Sequence, residues 1–295
     1  MSESRPIEVG FRKPPDTPRP GPTVRARPTH VAGGVARPRS DVLVTEEPLE
    51  IRVHHRDVEH QVTVTMRTPG NDFELAAGFL FAEGIVRARE DIVTVSYCKS
   101  GPPEQLYNIV TVELAAAASF DPGEIQRNFA TTSACGVCGK ASLDAVAVRA
   151  HPLPDGPQID ADLVARLPDL LRAKQKLFDK TGGLHAAGIF DGAGHLQLVR
   201  EDVGRHNAVD KAVGAMLLAG TLPARDRILQ VSGRASFEIM QKALAAGIPI
   251  TCSVSAPSSL AVELAERFNM TLAGFVRGDA YNVYAGPSRI RFASS

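Results

Sequence analysis

Cys135-Gly136-Val137-Cys138 places two thiols three positions apart, with Gly139 and Lys140 immediately beyond. A glycine in the interior of a helix or strand costs roughly 0.5–1 kcal/mol. The pair therefore belongs in a small-residue loop that presents sulfur rather than packing it. Three chemistries use such a pair. A redox dithiol normally sits at a helix N-terminus after a strand, which these glycines fit poorly. A zinc centre needs four ligands, usually two such pairs, so Cys98 and Cys252 or histidines would have to complete it. A persulfide relay needs one nucleophilic thiolate on a loop able to visit two partners, with a cation such as Lys140 favouring the thiolate. The pair alone does not choose among the three.

Four other loops carry polar groups: residues 181–185 (TGGLH), 200–207 (REDVGRHN, with Asp210 and Lys211 a turn later), 232–236 (SGRAS) and 255–259 (SAPSS). Each of the last three leads into a predicted helix, whose free N–H groups suit an anion such as phosphate. Gly233 would let a ligand approach the backbone, and Arg234 would supply charge. None is a P-loop, because GxxxxGK[ST] does not occur. Taken singly, each loop reads more plainly as a capped helix after a tight turn. Arg200, Asp202, Arg205 and His206 together form either a buried ion-pair network or a receptor for an anionic ligand. His54 and His55, in a predicted hairpin turn, read as surface histidines, and Cys98, at a strand end, as a packed thiol.

Elements able to position these loops are legible in the patterning. The chain of 295 residues is 44 % apolar, enough for one large or two modest domains. Its 33 basic and 33 acidic residues cancel, which argues against a nucleic-acid partner. No apolar run approaches the ~18–20 residues of a membrane span, and residues 1–40 lack a signal-like apolar segment. Four cysteines without a disulfide framework fit a reduced, cytoplasmic protein. Residues 1–40, rich in proline and arginine, read as a disordered basic arm. A β-rich part follows over 41–130, with alternating strands at 49–53 and 58–66, a helix over 71–83 capped by Asn71, and strands at 92–98 and 106–114. Residues 160–179 read as an amphipathic helix interrupted at Pro168. From there strands at 195–200, 227–231, 248–254, 271–276 and 281–284 alternate with helices at 204–218, 236–246 and 258–268. This alternation predicts an α/β sandwich over 131–295 with an at least partly parallel sheet. Ligand loops are then expected at the carboxyl ends of its strands.

In their order and combination these segments closely resemble the FdhD family of formate dehydrogenase accessory proteins. The likeness rests on CGVCG within 132–140, TGGLHAA at 181–187, REDVGRHNAVDK at 200–211, SGRASFE at 232–238, SAPSSL at 255–260, and GFVRG at 274–278 followed by Tyr284. It implies a cytoplasmic, homodimeric sulfur carrier, a sulfurtransferase that takes sulfane sulfur from a cysteine desulfurase as a cysteine persulfide. The acceptor it implies is the molybdenum bis(molybdopterin guanine dinucleotide) cofactor, or its tungsten form, before insertion into formate dehydrogenase. The persulfide cysteine corresponds to Cys135, with Cys138 the second motif cysteine. The cofactor-binding segment corresponds to Phe275, Val276, Arg277, Gly278, Asp279 and Ala280. A cofactor with several phosphates would explain Arg205, Arg234 and Arg277 beside glycine-rich helix starts. The family fold is similar to that of cytidine deaminases, so a cytidine-deaminase-like layered sandwich preceded by a smaller β-rich part is expected. Deaminase chemistry is not implied: His185-Ala186-Ala187 lacks the glutamate of [HC]-x-E, and the CxxC lacks its preceding proline. No tightly bound metal of its own is expected. The rivals are a zinc hydrolase on that fold and a chaperone that holds the cofactor without carrying sulfur.

Overall fold

The computed structural model describes residues 19–98, 106–123, 143 and 150–292; Cys135 and Cys138 lie outside them. From Thr23 the chain forms two antiparallel strand pairs. β1 (Thr23–Ala26) joins β4 (Asp41–Val44), and between them β2 (Thr29–Ala32) joins β3 (Val35–Pro38). The expectation of a disordered arm over 1–40 is thus corrected from Thr23 onward. That expectation rested on burial, whereas β2 and β3 are exposed along their length and are held by backbone pairing. Gly33 and Gly34, at φ +58° and +78°, supply the two-residue turn that a hairpin of this hand requires.

β5 (Glu47–His55), β6 (Val58–Arg67), β7 (Ile92–Tyr97) and β8 (Ile109–Leu114) form a four-stranded sheet in the order β6-β5-β8-β7. The alternation read from the sequence is the burial pattern of β5: Leu49, Ile51, Val53 and His55 point inward. The β5–β6 turn is Arg56-Asp57, so His55 is buried against the ring of Phe120 rather than exposed. Helix α1 (Asp72–Ala82) covers this sheet with Leu75, Ala76 and Leu80. Asn71 precedes it in a left-handed conformation without a side-chain cap; Asp72 instead accepts the Gly70 N–H at 3.0 Å.

The larger layer begins with β9 (Ile159–Asp160), α2 (Ala161–Arg172) and α3 (Lys176–Thr181). Pro168 does not end α2, because Leu163, Val164, Leu167 and Leu171 hold one buried stripe on both sides of it; the break falls at 173–175 instead. There follow β10 (His185–Asp191), β11 (Leu196–Asp202), α4 (Arg205–Leu218), β12 (Arg227–Val231), α5 (Phe237–Ala245), β13 (Ile250–Ser253) and α6 (Ser259–Arg267). The chain closes with β14 (Thr271–Arg277), β15 (Ala280–Ala285) and β16 (Ile290–Arg291), which pairs with β9. The six-stranded sheet runs β11-β10-β12-β13-β14-β15, with β12, β13 and β14 parallel and the other pairings antiparallel. Successive residues of β12 face opposite layers. Leu229 and Val231 join the core under α4, α5 and α6, while Ile228 joins α2. The architecture is mixed α/β, as the alternation predicted.

The two sheets are joined by α1 and α4, which cross at Gly78 and Gly214. A Cβ on Gly78 would lie 1.9 Å from the Asp210 carbonyl oxygen, and one on Gly214 would lie 1.8 Å from that of Glu74. Only glycine lets these backbones approach so closely. Among the described residues, no helix is long and apolar enough to cross a membrane.

Candidate functional site

Where the parallel strands end, the loops converge on a cavity of about 530 Å³. Ser232 follows β12, Val254 follows β13, and Val276-Arg277-Gly278 close β14; α2, α3 and the link between them form the opposite wall through Arg172, Phe178 and Gln175. Gly182, at φ +67°, ends α3, and with Gly183 and Leu184 it lines the floor leading to His185. This is the crevice expected outside the carboxyl ends of an open sheet. Arg172 lies over the Phe178 ring at 4.6 Å and pairs with Asp179 at 2.5 Å, so its guanidinium is held at the rim.

The backbone of β14 is bent to meet this cavity. Its ladder with β15 slips between Gly274 and Arg277, and Phe275 takes φ +55° while its N–H donates to the Ser255 carbonyl at 3.2 Å. A left-handed conformation is costly for a bulky side chain and persists only where surroundings impose it. The outcome is alternation out of step: Val276 is fully buried, while Phe275 and Arg277 project outward on either side. Gly278, at φ +59°, makes the turn.

A second cavity of about 340 Å³ opens at the start of α4, lined by Glu46, Thr65, Met66, Gly204, Arg205, His206 and Asn207. His185 lines both cavities. Its ring packs against Gly233, where a Cβ would come within 3.3 Å of Nδ1. Burial, and then the positive charge of Arg205, push the His185 pKa below the usual imidazole value, so the ring is neutral at pH 7. Arg205 Nε is buried with no hydrogen-bond partner among the described residues. A guanidinium N–H left so is costly unless a ligand group meets it.

In the REDVGRHN segment the first of the two sequence alternatives, an ion-pair network, is seen over residues 200–202. Arg200 forms a two-pronged pair with Glu74 of α1, at 2.5 and 2.6 Å. Glu201 accepts the N–H groups of Leu177 and Phe178 at the start of α3. Asp202, fully buried, accepts from Lys211 Nζ at 2.6 Å, from the backbone of Thr68 and Gly204, and from Asn207. These charges form a network. Arg205 and His206 instead face the second cavity.

The site residues expected from sequence therefore fall into three groups. Val276, Arg277 and Gly278 line the first cavity together with the TGGLH loop, and Arg205 lines the second. Phe275, Asp279 and Ala280 are exposed beside the first cavity without lining it, and Arg234 is exposed and lines neither. Cys135 and Cys138 lie outside the described residues. Sequence reasoning missed Arg172 and Phe178, which no motif marks because they sit on an ordinary amphipathic helix and its neighbour. It named His185 within a loop but not its place between the cavities; a histidine closing a Gly-Gly turn was the available signal. Cys252 is fully buried, and burial pushes its thiol up to about 12. Among the described residues, no three His, Cys, Asp or Glu side chains are grouped to hold a metal ion.

The chain is similar to known proteins over most of its length. A sulfur carrier protein FdhD of Mycolicibacterium paratuberculosis is 52 % identical over 272 residues, covering 91 % of this chain and 98 % of that one. One of the same description from Streptomyces coelicolor is 50 % identical over 273 residues, with 91 % and 95 % covered. The crystal structure of a Desulfotalea psychrophila protein described as a formate dehydrogenase accessory protein superposes with a TM-score of 0.70 at 25 % identity, covering 91 % of this chain and 99 % of that one. The FdhD/NarQ family matches residues 44–291, and the chain belongs to that family.

Proposed function

We propose that the protein is a sulfur carrier that loads sulfane sulfur on Cys135 and delivers it to a molybdenum bis(molybdopterin guanine dinucleotide) destined for formate dehydrogenase. The observation that carries this reading is the first cavity. It joins the open backbone of Gly182-Gly183 to the Arg277 side chain at the carboxyl ends of three parallel strands, in a chain whose relatives are named sulfur carriers. Its size suits a nucleotide-sized group, and Arg277 at its edge offers positive charge for phosphates, with Arg205 in the neighbouring second cavity, which shares His185 with the first. The cofactor is cargo here, a substrate rather than a resident group.

In the loading step the Cys135 thiolate attacks the terminal sulfur of a desulfurase-bound persulfide. The S–S bond of the donor breaks, the donor cysteine leaves as thiolate, and Cys135 carries the persulfide. In the onward step an electron pair of the reduced acceptor attacks the outer sulfur of the Cys135 persulfide; the acceptor–sulfur bond forms, the S–S bond breaks, and Cys135 leaves with that bond's electron pair as thiolate. Cys138 serves this loop as a relay, as a resolving thiol or as a structural member. The six-stranded layer is read as a deaminase-type sandwich without the deaminase glutamate, and the working form as a cytoplasmic homodimer.

The test is persulfide trapping. The full chain is incubated with a cysteine desulfurase and cysteine, alkylated, and mapped by mass spectrometry. One added sulfur is expected on Cys135, and Cys135→Ala should abolish it together with activation of a client formate dehydrogenase. Added sulfur on Cys98 or Cys252 would overturn the assignment, and Cys135→Ala that still activates the client would favour the cofactor-holding chaperone.

A further inference from the structure

Ser236 and Ser258 occupy equivalent places, each the N-cap of a helix that follows a parallel strand. Ser258 does what an N-cap serine does, its Oγ accepting the Ala261 N–H at 3.3 Å. Ser236 makes no capping bond. Its Oγ instead lies 3.0 Å from Nε2 of His206, whose Nδ1 lies 2.9 Å from Oε2 of Glu238. A hydroxyl on one imidazole nitrogen and a carboxylate on the other is the arrangement that activates a serine, with the base in reach of the nucleophile and itself oriented by a third group. The hydrogen bond from His206, together with the nearby charges of Lys242 and Arg205, keeps the Glu238 carboxyl below its usual range and hence ionised. Packing of α4 on α5 does not call for this trio. One turn further on, Asp210 and Lys242 already join the two helices through a buried pair at 2.7 Å.

We propose that Ser236, His206 and Glu238 form a nucleophilic serine centre for activated esters that carry an anionic group, distinct from the cysteine chemistry. His206 lines the second cavity beside Arg205, which supplies the positive charge. The first-turn N–H groups of α5 have no intrahelical acceptor and are the donors open to a developing oxyanion. Ser236 Oγ attacks the ester carbonyl carbon while its proton passes to His206 Nε2. The C–O bond of the ester breaks, the alkoxide leaves with that proton as an alcohol, and water then releases the acid from acyl-Ser236 by the same route. Ester and water become acid and alcohol, with no oxidant or reductant required.

The experiment uses a fluorophosphonate probe on the full chain. Ser236 Oγ bonds phosphorus, fluoride leaves, and mass spectrometry locates the adduct. An adduct on Ser236, absent from Ser236→Ala and formed about 100-fold more slowly by His206→Gln, is the expected result, with melting curves confirming that both variants fold. Wild-type protein unlabelled at Ser236, or labelled there at the same rate in His206→Gln, would overturn the proposal and leave the trio as a bridge between helices. Neither result depends on persulfide loading of Cys135.

Discussion

Lys211→Met is the sharpest probe of how the second cavity is held. Lys211 is 1 % exposed, and its Nζ donates to Asp202 at 2.6 Å and to the Thr68 carbonyl at 2.9 Å. Methionine keeps most of the stem volume and removes the charge, leaving the fully buried Asp202 carboxylate with Thr68 N–H, Gly204 N–H and Asn207 Nδ2. Removing one partner of a buried pair costs about 3–5 kcal/mol. The three remaining donors place this case at the low end, at about 3 kcal/mol. Adding Asp202→Asn removes the stranded charge, so the double variant should be more stable than the two single losses predict, by about 1–2 kcal/mol of coupling. Urea unfolding reads both values from the shift in midpoint at unchanged slope. A loss below about 1 kcal/mol for Lys211→Met, or a double variant equal to the sum of the singles, would show that the buried carboxylate does not depend on this lysine.

Two further outcomes follow from the geometry. Gly78→Ala and Gly214→Ala each drive a methyl group into a backbone carbonyl of the facing helix. Each should cost about 3 kcal/mol and lower the melting temperature by about 6–12 °C. The pair together should cost less than the sum, because one separation of α1 from α4 relieves both. Equal melting temperatures for wild type and variants in calorimetry would mean that the helices do not meet there. At the first cavity, Arg277→Ala should weaken GDP binding about tenfold by calorimetric titration, the loss of one charge-assisted contact. Arg234→Ala should change it less than about twofold, since that side chain lines neither cavity. Unchanged affinity in Arg277→Ala would remove this cavity as the nucleotide site.

Periodicity made most elements legible. β12, β14 and β15, and helices α4, α5 and α6, lie within a residue or so of where apolar spacing and turn residues put them. What escaped was β10, which lies between β11 and β12 in the six-stranded sheet. Ala186 to Phe190 is buried on both faces, so it shows no alternation, and its small residues suggest a loop. Gly188 is there to make room: a Cβ would sit 2.8 Å from Leu171 Cδ1. Without β10, the place of His185 between the cavities could not be foreseen. The exposed strands at 23–38 escaped for the opposite reason, because hydrophobic patterning is silent about a ribbon that buries nothing. Loop chemistry, by contrast, was legible: Gly182 and Gly278, at φ +67° and +59°, occupy turns that glycine suits.

The segment 200–211 shows why charge alone could not separate structure from site. Its ionisable residues are of the same kinds throughout, and their fates follow from position. Arg200, Glu201 and Asp202 each reach a different element, tying β11 to α1, to the start of α3 and to Thr68. On α4, Asn207, Asp210 and Lys211 are three and four residues apart and so share the buried face. Arg205 and His206, in the first turn, are left facing the cavity. Buried charges of this kind are tolerated only when every member is partnered. Their satisfaction therefore fixes Gly204 and the first turn of α4, since any shift there would strand Asp202. The consequence is functional. Arg205 is held in place before any ligand arrives, with an N–H already out of water and unpaired among the described residues. An anionic group meeting it forgoes little side-chain ordering and supplies a hydrogen bond that the described residues do not.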